Sequence, residues 1–302
     1  MILPGMTGIS ERVRRVRNEL APAETRVVEA LLHDYPMSGL GSVGDLAAAA
    51  GVSAPTVLRL VSKLGFGGYP EFREHLRGEV AARLFSPVEA YPRAAGSAGD
   101  LLATAEQRYA EAVHATFRGL DLAETERAVA ALCDPAATVL VAGGRFSGIL
   151  ATHLAAYLQI LRPGVEEVPP EPGRRARALL SVDAATVLVV FDYRRHQPDT
   201  VEFGRHARAR GAQVVLLCDP FLSPLAPDAD VLLTTSVAGP PPFDSAAGAL
   251  MAVEMLIGAV AERLGASARK RLTDFELHAN GADPAAVPAD GVDRDPADRH
   301  PA

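Results

Sequence analysis

SVGDLAAAAGVSAPTVLRLVSKLGF, the stretch from Ser42 to Phe66, reads as two short helices joined by a tight turn. Ser42 followed three residues later by Asp45 is a helix-start signature, in which each side chain satisfies a backbone amide of the other residue. The alanine-rich helix that follows stops at Gly51, a residue type that enters the left-handed conformation of a turn without a Cβ penalty. Ser53 can cap the second helix, and Pro55 is tolerated in its first turn because amides there have no intrahelical partner. Two helices joined by a short glycine-containing turn make a helix-turn-helix unit. Ala47 is small where the helices must approach, and Leu46, Ala50, Val52, Val57 and Leu60 supply the shared apolar contact.

In the second helix Val57, Leu60, Val61 and Leu64 recur at i, i+3, i+4 and i+7 and define a buried face. Thr56, Arg59, Ser62 and Lys63 are then expected on the opposite face, with Ser53 at its start. Such a face can enter a DNA major groove, arginine donating to guanine O6 and N7 and lysine to phosphate or base edges. The same spacing also describes a solvated face on an ordinary helical hairpin. Overall charge argues against DNA, since the chain carries a net charge of −7 and a pI near 5.6. Division by region removes that objection. Up to Phe85 there are ten Arg/Lys against nine Asp/Glu, so the acidity belongs to the remainder, five aspartates of the last stretch included.

Working outward, SPVEAYPRAAGSAGD at 86–100 has the Pro, Gly, Ala and Ser content of a linker. Two amphipathic helical stretches follow, near Leu101–Arg118 and Ala123–Leu132. Short β-branched runs then alternate with helical patterns: Thr138–Ala142, Val165–Val168, Thr186–Phe191, Gln213–Cys218 and Asp230–Leu233. Alternation of this kind indicates an α/β domain with a parallel sheet, closed here by a helix near Ser245–Leu264. From Ala279 the chain has almost no large apolar residues and is expected to be a disordered tail. The expected domains are therefore 1–85, 101–278 and, outside them, the linker 86–100 and the tail 279–302.

Composition bounds the rest. With 48% apolar and 22% charged residues over 302 positions, the chain is neither wholly disordered nor fibrous, and its length suits two domains. Tryptophan is absent and aromatics are 5%, so the cores must be built from Ala, Val and Leu. Cys133 and Cys218 are too few for a disulfide framework and lie in no CxxC motif; a buried thiol is expected at Cys218. The most apolar segment, Ala246–Ala261, contains Glu254 and is shorter than a membrane span, which makes it a core helix. No signal peptide is visible at the N-terminus, so a soluble cytoplasmic protein is expected.

LAPAETRVVEALLHDYP followed by SVGDLAAAAGVSAPTVLRLVSKLGFGGYPEFREHLRGEV resembles the N-terminal domain of the RpiR/MurR family of bacterial transcription regulators. The resemblance runs from about Ile9 to Leu84 and includes Lys63-Leu64-Gly65-Phe66, then Tyr69 and a further helix. It implies a second, sugar isomerase (SIS) domain, a three-layer α/β unit with a five-stranded parallel sheet. It further implies a regulator that binds operator DNA, a pseudo-palindrome read by a homodimer or a dimer of dimers, and that responds to a small anionic carbohydrate derivative.

The α/β half fits that expectation in part. Val139 to Gly148 reads as a strand, a glycine-rich turn and a helix start, which presents backbone N–H groups and a positive helix end to an anion. It does not spell the dinucleotide motif. Gly143 and Ser147 match the first SIS loop, next to Gly144, while Arg145 stands where a second glycine is common. The second SIS loop, S-x-S-G, is replaced: Asp192 and Arg194 occupy the serine positions, followed by Arg195 and His196. Arg194 and Arg195 can grip a phosphate or carboxylate, with Asp192 orienting a guanidinium or a ligand hydroxyl; alternatively the loop is ion-paired and has lost its ligand. Ser223-Pro224-Leu225 resembles the SIS turn after the fourth strand, and Phe243-Asp244-Ser245 can reach the pocket rim. No catalytic residue, metal site or cofactor is assigned: His153 and His206 lack partner spacing, and His196 alone is placed to act as a base. An isomerase-like enzyme with an accessory helical domain and a ligand-blind DNA-binding dimer are the alternative readings.

Overall fold

The computed structural model describes residues 9–33, 35–84 and 101–279. The expected linker at 86–100, and the expected tail beyond Ala279, lie outside them.

The N-terminal half is helical: α1 (Ile9–Val16), α2 (Pro22–His33), α3 (Val43–Ala49), α4 (Ala54–Lys63) and α5 (Tyr69–Leu84). A capping box starts α3, with Asp45 N–H donating to Ser42 Oγ at 3.2 Å and Ser42 N–H to Asp45 Oδ2 at 2.7 Å. Both α3 and α4 end on a left-handed glycine. Gly51 has φ +61° and Val52 N–H donates back to Ala47 O; Gly65 has φ +81° and Phe66 N–H donates back to Val61 O. This is the Schellman arrangement, in which the residue after the glycine turns an apolar side chain into the helix pair. Val52 and Phe66 accordingly join a core of Val27, Leu31, Leu46, Ala47, Val57, Leu60, Val61, Leu64, Phe72 and Leu76. Phe66 and Phe72 meet edge to face at 5.5 Å.

The second half is a three-layer α/β/α unit. Helices α6 (Leu101–Gly119) and α7 (Leu122–Cys133) precede the sheet. Strands β1 (Thr138–Gly143), β2 (Val165–Val168), β3 (Thr186–Phe191), β4 (Gln213–Cys218) and β5 (Val231–Thr234) are all parallel, in the order β2-β1-β3-β4-β5. The connecting helices are α8 (Gly148–Leu161), α9 (Pro172–Leu180) and α10 (Pro198–Ala209), followed by α11 (Ala247–Leu264) and α12 (Ala266–Ala279).

Side chains alternate across a strand, so each strand divides between two cores. Val139, Val141, Val187, Val189, Phe191, Val215 and Leu217 pack toward α7, α8 and α11. Leu140, Ala142, Leu188, Val190, Val214, Leu216 and Cys218 pack toward α9 and α10. Strands buried on both faces explain the unbroken apolar runs in the sequence. Cys218 is buried, as expected, and the Ala246–Ala261 segment is the core helix α11, with Glu254 on its exposed side. None of the described helices is long and apolar enough to cross a membrane. Helix α12 lies beyond the expected closing helix and continues the chain after Gly265. Strand β5 sits one residue later than expected, at Val231–Thr234, because Asp230 is taken up in capping the sheet edge: its Oδ2 accepts from Val214 N–H and Arg208.

Candidate functional site

The expected site residues fall in two described regions, one on α4 and one at the carboxyl ends of β1 and β3. On α4, Val57, Leu60, Val61 and Leu64 are buried, and Ser53, Pro55, Leu58, Arg59, Ser62 and Lys63 are exposed.

Thr56 is a correction. The spacing put it on the outer face, but it is 5% exposed and bonds Ser53 Oγ at 3.1 Å through Oγ1. An α-helix advances about 100° per residue, which sets Thr56 on the flank of the buried face rather than opposite it. Arg59 donates to the same Oγ1 at 3.2 Å, so the threonine supports the arginine from beneath. Ser53 occupies the N-cap position in extended backbone, but its hydroxyl makes no cap bond and faces Thr56 instead.

Lys63 lies on that same flank and is engaged within the head. Its Nζ donates to Glu24 Oε2 at 2.7 Å and to Glu19 O at 2.9 Å, tying the end of α4 to the start of α2. Burial pushes the Glu24 carboxyl up, but Lys63, the Ala21 amide and Arg59 together hold it below the usual carboxylate range. Leu58 is a residue the spacing overlooked, an apolar side chain exposed beside Arg59 and Ser62. Arg12 of α1 donates to Leu64 O at 2.9 Å and lies 4.4 Å over the Phe66 ring, a cation at the carboxyl end of α4.

The second site follows from topology. The sheet order reverses between β1 and β3, and ligands of open α/β sheets bind at the carboxyl ends of strands where that reversal occurs. There a cavity of about 410 Å³ is lined by the loop Gly144–Ser147 and by residues Asp192 to Asp199. All seven residues expected around a ligand are brought to this end of the sheet, six of them lining the cavity and Gly143 closing β1 behind it.

The two loops use their polar groups differently from the expectation. Gly143 has no room for a side chain, since a Cβ would meet the Ser147 carbonyl at 2.7 Å and Gly148 backbone at 2.8 Å. Ser147 is 9% exposed and holds the turn itself: Oγ accepts from Gly144 N–H at 2.9 Å and donates to Phe191 O at 2.7 Å. Gln197 Oε1 accepts from Arg145 N–H at 2.7 Å, which joins the first loop to the second. Below both loops Arg175 of α9, 5% exposed, donates to Gly143 O, Asp199 Oδ2 and Thr200 Oγ1.

Asp192 lines the cavity but departs from one of its two expected roles: it bonds no guanidinium among the described residues, being buried with its Oδ2 accepting from His196 Nδ1 at 2.9 Å and from Ser223 Oγ at 2.5 Å. Burial is possible because both partners neutralise a carboxylate's demand for donors. Arg194 is likewise turned inward, with a guanidinium paired to Asp244 and 5.1 Å over Phe221, and a backbone N–H that donates to Asp219 Oδ2 at 2.6 Å. Burial pushes the Asp219 carboxyl up against the opposing pull of His196, the Phe221 amide and Arg194. Tyr193 is pushed up by burial as well, and its hydroxyl meets Thr235 Oγ1 at 2.8 Å.

What stays open are Arg145 and Arg195, exposed on the two loops and bonded through no guanidinium nitrogen to any described residue. Arg195 sits at φ +66°, a left-handed conformation that swings it away from the inward-facing Arg194. His196 Nε2 is buried without a hydrogen-bond partner. Among the described residues no group of three His, Cys, Asp or Glu side chains is placed to hold a metal ion.

A glycine-stopped helix-turn-helix head and a switch-point cavity on a five-stranded parallel sheet thus occur in one chain. Residues 7–83 match the helix-turn-helix domain of the rpiR family, and residues 134–259 match the SIS domain. The chain therefore carries an rpiR-type helix-turn-helix domain followed by a SIS domain. It is 35% identical over 77 residues to the HTH-type transcriptional regulator HexR of Pseudomonas aeruginosa, a match spanning 26% of this chain and 27% of the relative. The sugar isomerase domain of an RpiR transcription factor from Sphaerobacter thermophilus has the same fold, with a TM-score of 0.56 and 23% identity over 59% of this chain and 99% of that one. The NanR protein of Vibrio vulnificus, solved with ManNAc-6P, is similar over 90% of this chain and 98% of its own, with a TM-score of 0.53 and 19% identity.

Proposed function

We infer that this chain is an operator-binding transcription regulator whose SIS domain senses a small anionic metabolite, a sugar phosphate or a related carbohydrate derivative. The observation that carries the reading is the pairing of two sites in one chain: an outward face of Ser53, Leu58, Arg59 and Ser62 on α4, and a 410 Å³ switch-point cavity edged by Arg145 and Arg195. Arg59 is the base-reading side chain, Leu58 meets a thymine methyl, and Ser53 and Ser62 contact phosphate or base edges. Thr56 and Lys63 act by holding the helix that carries them. A dimer supplies two recognition helices for two half-sites. Ligand binding changes operator affinity through a difference in affinity for the two dimer states. The relative solved with ManNAc-6P supports a phosphosugar as the first compound class to try.

The test is a map of the sites bound in the host genome by the full chain, followed by operator binding with and without the metabolites of the neighbouring genes. A specific, metabolite-sensitive site is the expected result. Turnover of a phosphosugar by the purified protein, lost on His196→Ala, would establish the isomerase-like enzyme instead.

A further inference from the structure

The glycine loop after β1 is folded as an anion cradle, yet two of its amides already have acceptors. Gly144 N–H is bonded to Ser147 Oγ, and Arg145 N–H to Gln197 Oε1. The serine belongs to the loop's own turn, but the glutamine comes from across the cavity, 52 residues further on. Gln197 is the N-cap residue of α10, and its side chain makes no bond there. It reaches instead to the loop, where its Oε1 lies 3.0 Å from the position a Gly144 Cβ would take. An amide oxygen thus takes a loop N–H that an oxygen of a phosphate or carboxylate could take, in a cavity whose lining includes the exposed Arg145 and Arg195.

We propose that Gln197 is a latch that occupies the anion position of the empty cavity, and that an anionic ligand binds by displacing its side chain from the Arg145 amide. This rests on the reading of the cavity as an anion site. The exchange is favourable because a charged acceptor makes a stronger bond to N–H than a neutral amide oxygen does. Gln197 flanks α10, so its release also loosens a side-chain bond that joins the first loop to the second, giving the ligand a structural difference to act on.

The latch makes two opposite predictions for one position. Gln197→Ala removes the competitor without touching Arg145 or Arg195, and anion affinity rises by about two- to tenfold, the worth of one neutral hydrogen bond. Gln197→Glu places a tethered carboxylate at the same amide, and affinity falls below that of the natural chain. Inorganic phosphate serves as the probe, titrated into the full chain at constant ionic strength and followed by the amide shifts of Gly144 and Arg145. Arg145→Ala locates the binding. Phosphate bound at these amides, with unchanged or weaker affinity in Gln197→Ala, overturns the latch and leaves the anion site standing. Absence of phosphate binding in the natural chain, Gln197→Ala and Gln197→Glu alike overturns both.

Discussion

On α4 of the head, Arg59 faces outward while Lys63, one turn on, is held by Glu24; at the sheet's end, Arg195 stands exposed while its neighbour Arg194 is held by Asp244. Both regions therefore keep one cation open and close another, but they close it differently. In the head the acid is the buried partner, with Glu24 at 5% side-chain exposure and Lys63 at 38%. In the sheet domain the cation is buried, with Arg194 at 7% and Asp244 at 43%. The member left behind when a pair is broken decides the cost. A stranded buried carboxylate has lost its water and its partner, whereas a stranded exposed one is simply hydrated.

The largest effect is therefore expected from Lys63→Ala, about 2–3 kcal/mol of head stability by chemical denaturation at neutral pH. Its pH dependence sharpens the assignment. The folded Glu24 carboxyl sits below its ordinary value, so its contribution is present above that value and lost as pH falls through the lowered one. The gap between the natural chain and Lys63→Ala should narrow on acidification. A gap constant from neutral to acid pH would show that the lysine acts through packing alone.

Next in size is Arg59→Ala, which should weaken operator binding by about 1–3 kcal/mol, concentrated at one base pair, without lowering the melting temperature. Lys63→Ala should do the reverse, costing stability while leaving base preference intact. Equal loss of base preference in the two variants would erase the distinction between the open and the closed cation.

These two residues also mark how far the sequence could be read. The head is built from contacts three and four residues apart, so Val57, Leu60, Val61 and Leu64, the Ser42–Asp45 box and the turn at Gly51 were all legible from spacing. Spacing does not say where a flank meets another helix, which is why it sets the buried Thr56 too far outward and does not show that the exposed Lys63 is bonded to Glu24. The sheet was legible for a similar reason, since unbroken β-branched runs between helices have few other readings. Its site was legible only as two loops. Gln197 with Arg145, Arg175 with Gly143, Asp192 with Ser223 and Arg194 with Asp244 are bonds 52, 32, 31 and 50 residues apart. No local pattern records such pairings, and only the closure of β1 beside β3 brings them together.

The smallest effect separates the two adjacent arginines of the sheet domain. Arg195→Ala removes an exposed cation from the cavity's edge and should weaken phosphate binding about three- to fivefold, roughly 1 kcal/mol or less, with no change in melting. Arg194→Ala should leave phosphate affinity within about twofold and lower stability by about 1 kcal/mol, because Asp244 is released to water while the contact with Phe221 is lost. The pair of variants separates two ways in which the altered loop can work. If Arg195 governs affinity, the cavity retains an anion site on its outer edge, with the loop's inner residues serving as its frame. If Arg194→Ala carries the larger loss of affinity, the Asp244 pair must open when ligand enters, and the inward-facing cation is the one that the anion recruits.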